Sequence, residues 1–250
     1  MTTLKFITIL LFLTKTFCVV GQTKEDYFTE GVKIFDKGFY VSAIEMFTEA
    51  ISLDSNYSDA YYYRGLSYKK GTYADIHPKI VENFIKAISL DTSKNYWEAY
   101  FYLARLAQFI DTSYYKLFDK AIQFNPTNPE IYYNRGQFYY WKRLDFQKGV
   151  DDYFKMLELD KNNVDALNSI AFYYQTVTYD YENAKEYYLK VLKRRPKDIT
   201  TYEKLAQVYC HQKEIKKRDK LLKKLTKLSD EYSYEMQDNC NFNMTKKVRE

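Results

Sequence analysis

Cys210, His211 and Cys240 are the residues whose types best suit chemistry, since thiolates and an imidazole are zinc ligands. A fourth ligand is not apparent beside them, and the other histidine, His77, sits far off in a long turn. Neither histidine belongs to a zinc-protease helix motif, and no phosphate-cradling glycine loop is present. No serine stands in a G-x-S-x-G elbow, and the many carboxylates are scattered rather than paired. Two other fates are open to Cys210 and Cys240. They form one disulfide clipping the C-terminal tail onto the last helices, or they stay as thiols with Cys210 partly buried. The inventory predicts no catalytic residue, no metal and no cofactor.

What remains is surface, and the surface is set by elements. The 250 residues include 28 Tyr and 17 Phe but only 7 Gly and 4 Pro, a balance that favours helix over turn-rich sheet. Most of the aromatics are expected in packing between helix layers, where a tyrosine ring buries while its hydroxyl stays wet. Small residues recur inside aromatic helix faces at Gly31, Gly65, Ala104, Gly136, Ala171 and Ala206. Such a period, close to ~34 residues, predicts stacked helical hairpins.

The first unit reads KEDYFTEGVKIFDKGFYVSAIEMFTEAISLD, with Tyr27, Gly31 and Ile34 on one stripe and Ala43, Phe47 and Ala50 on the next. Later units supply Tyr61, Gly65 and Tyr68; Tyr100 and Ala104; Tyr132, Gly136 and Tyr139; Leu167, Ala171 and Tyr174; and Tyr202, Ala206 and Tyr209. In the fourth unit Gly149 and Met156 stand where alanine is usual. This order of small and large residues over residues 24–228 resembles the tetratricopeptide repeat. The resemblance implies an all-α fold, a right-handed superhelical solenoid of antiparallel helix hairpins. It also implies an interaction module whose first helices line a concave groove for a peptide or protein segment.

Carried onto comparable positions, the resemblance nominates Phe28, Tyr62, Phe101 and Tyr133 in one column, and Arg105 and Gln137 in another, as groove contacts. Apolar character is concentrated in the first four units, and the groove turns polar towards the C-terminus. Phe28 and Val32 occupy places where a chaperone-tail carboxylate clamp would need Lys and Asn, so that mode is not expected.

Charge is uneven. Residues 181–250 hold 18 Lys or Arg against 11 Asp or Glu, while the rest hold 20 against 22. Lys216, Lys217, Arg218, Lys220, Lys223 and Lys224 form a candidate basic patch beside a narrow stripe of Ile215, Leu221, Leu222 and Leu225. A solvated helix ending the array is one reading; attraction to an anionic membrane surface or acidic partner is the other. Nucleic acid is disfavoured by the expected export.

Residues 1–21 combine a short basic start, the apolar run FITILLFL and small residues before Gln22, the pattern of a secretory signal. Lys15 interrupts the apolar stretch, which argues against a spanning helix, although a retained anchor stays open. The expected organisation is a signal peptide at 1–21, a helical repeat domain of about six hairpins at 22–228 and a tail at 229–250. The expected role is a non-enzymatic adaptor or scaffold, exported to the periplasm, the envelope or the exterior. The alternative is an envelope-associated structural subunit docking on a membrane through its basic helix.

Overall fold

The computed structural model describes residues 22–71, 78–107, 116–228, 232–236 and 242–246. Two compact units divide at Leu103 and Ala104. Residues 1–21, 72–77, 108–115, 229–231, 237–241 and 247–250 lie outside the described residues, and with them the expected signal peptide, His77 and Cys240.

The first unit contains α1 (Lys24–Asp36), α2 (Tyr40–Leu53), α3 (Ser58–Gly71), α4 (Pro78–Leu90) and the start of α5 (Trp97–Ala107). α1 starts where Thr23 and Asp26 cap each other: the Asp26 amide donates to the Thr23 hydroxyl at 3.1 Å, and the Thr23 amide donates to the Asp26 carboxylate at 2.9 Å. α1 packs on α2, α2 on α3 and α3 on α4, and α1 also touches α3. This is the contact pattern of a repeat array, in which no single core is shared by all elements. Ala43, Phe47, Ala50, Ala60, Phe84 and Ala87 are fully buried between the layers.

The second unit holds the rest of α5, then α6 (Lys116–Phe124), α7 (Pro129–Trp141), α8 (Phe146–Leu159), α9 (Val164–Thr176), α10 (Tyr181–Arg194), α11 (Ile199–His211) and α12 (Ile215–Leu228). Asn128, Asp145, Asn163, Asp180 and Asp198 each cap the following helix by accepting an amide. The recurring small residue has a direct steric cause. A methyl group on Gly136 would lie 2.7 Å from the Tyr153 ring and 3.0 Å from the Gly149 carbonyl oxygen, so α7 and α8 touch backbone to backbone here. Gly149 belongs to the same contact, which accounts for the missing alanine, and Met156 is buried in the cluster formed with Tyr132, Tyr140, Tyr153 and Ile170.

After α12 the chain forms β1 (Tyr232–Met236) and β2 (Phe242–Lys246), an antiparallel pair with Tyr232 opposite Lys246. The pair lies within residues 229–250, for which only a C-terminal tail was expected. Apolar and polar residues alternate in Tyr-Ser-Tyr-Glu-Met and, less regularly, in Phe-Asn-Met-Thr-Lys, which was the available signal. Among the described residues the architecture is otherwise all-α, and no described helix is long and apolar enough to cross a membrane.

Candidate functional site

An open cavity of about 310 Å³ lies in the second unit, lined mainly by the first helices of successive hairpins, α7, α9 and α11. α7 contributes Tyr133, Gln137, Tyr140 and Trp141, and α9 contributes Asp165, Asn168, Ser169 and Phe172. The start of α11 adds Asp198, Thr200, Thr201 and Lys204, and Tyr153 reaches in from α8. Helical spacing places these residues together: Tyr133, Gln137 and Tyr140 recur at i, i+4 and i+7, as do Asp165, Ser169 and Phe172.

The apolar part is a ring cluster. Trp141 is 55% exposed with its ring 5.9 Å from Phe172, which sits 6.2 Å from Tyr140. The Tyr140 hydroxyl is bonded to Thr176 Oγ1 at 3.2 Å, so its ring is held from both ends. An exposed indole on such a base is a rigid contact surface that costs little side-chain entropy on binding.

The polar part is mostly committed to holding the helices. Thr201 Oγ1 donates to Asn168 Oδ1 at 3.2 Å, and the Thr201 amide donates to the Asp198 carboxylate at 3.2 Å. Asp165 faces Arg195 at 3.9 Å. Lys204 differs. Its ammonium lies 5.1 Å over the Phe172 ring, and among the described residues no carboxylate lies within salt-bridge distance. Burial pulls the Lys204 pKa below its ordinary value, only partly opposed by the charges of Asp198 and Glu203. The cavity therefore offers an apolar plate beside a half-buried cation.

The nominated groove residues divide. Tyr133 and Gln137 line the cavity, and Asn168 and Phe172, from the same columns, stand with them. Tyr62 and Phe101 do not line a groove, being only 8% and 5% exposed. Tyr62 stacks on Tyr96 at 4.6 Å, and burial drives its phenol pKa well above the ordinary value. Both belong to the packing of the first unit, because bulky rings at those positions fill the space between adjacent hairpins. Phe28 is half-buried against Phe47, Tyr57 and Tyr63. Arg105 is exposed and faces Glu130 at 3.9 Å. The apolar face expected in the first four units thus gives way to a mixed cavity further along the chain. Trp141, Asp165, Asp198 and Lys204 were missed; an aromatic with no place in the small–large pattern was the signal at Trp141.

The basic patch needs one change. Lys216, Lys217, Lys220, Lys223 and Lys224 are exposed, but Arg218 is 5% exposed, bonded to Asp219 at 2.9 Å and to Cys210 Sγ at 3.9 Å. It occupies the inner face of α12, where the preceding hairpin has Ala184. Cys210 is disulfide-bonded, which removes its thiolate from any metal set. His211 stacks on Tyr181 at 4.9 Å. Among the described residues no group of three His, Cys, Asp or Glu is placed to hold a metal.

The fold is that of an all-α helical-repeat protein, and its hairpins are similar to tetratricopeptide repeats. A family model described as TPR repeat matches residues 116–142, which cover α6 and α7. A TPR repeat-containing protein of Methanocaldococcus jannaschii is 22% identical, matched over 71% of this chain and 38% of its own length. The chain thus spans well under half of that curated relative. Among solved structures, YrrB, described as a TPR protein with an unusual peptide-binding site, superposes with a TM-score of 0.60 at 18% identity, over 75% of this chain and 94% of YrrB. PilF of Pseudomonas aeruginosa gives a TM-score of 0.54 at 14% identity, over 83% and 92% of the two chains. At these identities the likeness is one of fold.

Proposed function

We propose that this chain is a non-enzymatic adaptor that docks a peptide or protein segment on the first-helix face of its second unit. The observation that carries the reading is the cavity between α7, α9 and α11, with exposed Trp141 backed by Phe172 and half-buried Lys204 beside it. An apolar side chain of the segment seats on the Trp141–Phe172 plate, and Gln137, Asn168 and Lys204 give polar contacts that set its register. The fold neighbour YrrB, itself described as having a peptide-binding site, supports this use of the architecture. The signal-like residues 1–21 support work outside the cytoplasm.

The test is photo-crosslinking in cells from position 137, compared with position 155 on the exposed side of α8. The expected result is one dominant protein adduct at 137, lost when Trp141→Ala is added, and none at 155. Hot-spot aromatics of this kind cost about 2 kcal/mol or more when truncated. Equal adducts at both positions would remove the site assignment.

A further inference from the structure

The outer face of α12 is unused by the cavity and carries a pattern of its own. Lys216, Lys220, Lys223 and Lys227 recur at i, i+4, i+7 and i+11, and Lys217 and Lys224 flank them. At about 100° per residue the six lie within one arc of about 120°. All six are exposed. Their helix packs on α11 with Leu222 and Arg218 buried, so the lysine arc is fixed outward. The nearby carboxylates are engaged: Glu214 pairs with Lys217 at 2.8 Å, and Asp219 is held by Arg218 at 2.8 Å.

We propose that this face docks on an anionic, phosphate-bearing lipid surface. The choice of lysine points there. Lysines are compact, strongly hydrated charges on flexible stems, suited to a diffuse field, whereas arginine forks grip individual carboxylates. The single arginine of α12, Arg218, is turned inward. Half-buried Tyr209 and Leu221 border the lysines, an amphipathic edge that suits the headgroup boundary. The stripe from Lys216 to Lys227 is about 16 Å long at ~1.5 Å per residue, long enough to meet several headgroups together. This inference is independent of the peptide cavity.

The experiment is co-sedimentation of the purified chain with vesicles of equal parts phosphatidylcholine and phosphatidylglycerol, against phosphatidylcholine alone. Binding is expected only to the anionic vesicles, and to vanish as salt shortens the screening length from about 10 Å at 0.1 M to about 3 Å at 1 M. The triple variant Lys216→Gln, Lys220→Gln, Lys227→Gln should lose on the order of 100-fold in partitioning, about fivefold per lysine. Arginine at the same positions should retain it, as should Lys33→Gln, Lys37→Gln, Lys120→Gln with the same loss of charge elsewhere. Salt-insensitive binding, equal binding to neutral vesicles, or an unaffected Gln variant would overturn the proposal. Capture of soluble polyglutamate without vesicle binding would also overturn it, assigning the face to an acidic protein segment.

Discussion

At the scale of single residues, the small positions are steric requirements. Gly136→Ala gains helix propensity of about 1 kcal/mol but forces a methyl against the Tyr153 ring and the Gly149 carbonyl, which cannot both yield. We expect a net loss of ~1–2 kcal/mol, read from the urea midpoint. Arg135 donates from Nε and Nη2 to Asp152 at 2.9 and 2.7 Å and from Nη1 to Asp119 at 2.6 Å, and the Asp152 side chain is 6% exposed. Arg135→Met strands that carboxylate and should cost about 3–5 kcal/mol, whereas Asp119→Asn, at the exposed end, should cost less than about 1 kcal/mol. Tyr62→Ala and Phe101→Ala should each remove about 3–5 kcal/mol of stability, a thermal-melt result opposite to that of a groove contact.

At the scale of elements, the turns and caps set the hairpins. Leu144, Tyr179 and Lys213 all take positive φ, 54°, 55° and 59°, between the two helices of their hairpins, where the first hairpin uses Gly38 at 85°. Side chains in this left-handed region cost ~1–2 kcal/mol, so Leu144→Gly, at an exposed turn, should raise stability by up to about 1 kcal/mol despite glycine's extra unfolded freedom. Asp180 caps α10, and bonds from the Asn183 amide and side chain hold its carboxyl below the ordinary pKa. A depressed carboxylate stabilises the fold above its unfolded pKa. Asp180→Ala should therefore cost ~1 kcal/mol at neutral pH, and its gap from the parent chain should close as pH falls below about 4. The Asp or Asn that caps each of α7 to α11 stands in the sequence directly before its helix, a signal open to reading, whereas α2 follows Phe39 with no side-chain cap. The left-handed turns were not legible, because leucine, tyrosine and lysine do not advertise positive φ.

At the scale of the whole molecule, neighbour-to-neighbour packing makes stability local. Truncation before Ile215 removes buried Leu222 together with Leu221, which packs against the cluster of Ala184, Tyr188, Leu205 and Val208. Amide exchange should then accelerate in α11 and α10 while α1–α3 keep their protection. Faster exchange throughout would show a cooperative core shared by all elements.

The sequence by itself determined the helical-hairpin architecture, since close helix contact demands a small residue once per repeat, and that demand is visible in Gly31, Gly65 and Gly136. It also determined where positive charge gathers. Only the tertiary structure decided which aromatics are spent on packing and which face open space. Tyr62 and Tyr133 share a repeat position, yet one stacks on Tyr96 and the other lines a cavity. Repeat position places a side chain on a helix face; its exposure depends on the neighbours that reach that face from other parts of the chain. The same holds for Arg218, placed among the five lysines of the candidate basic patch by sequence and taken into the interior because its position in the repeat points at α11.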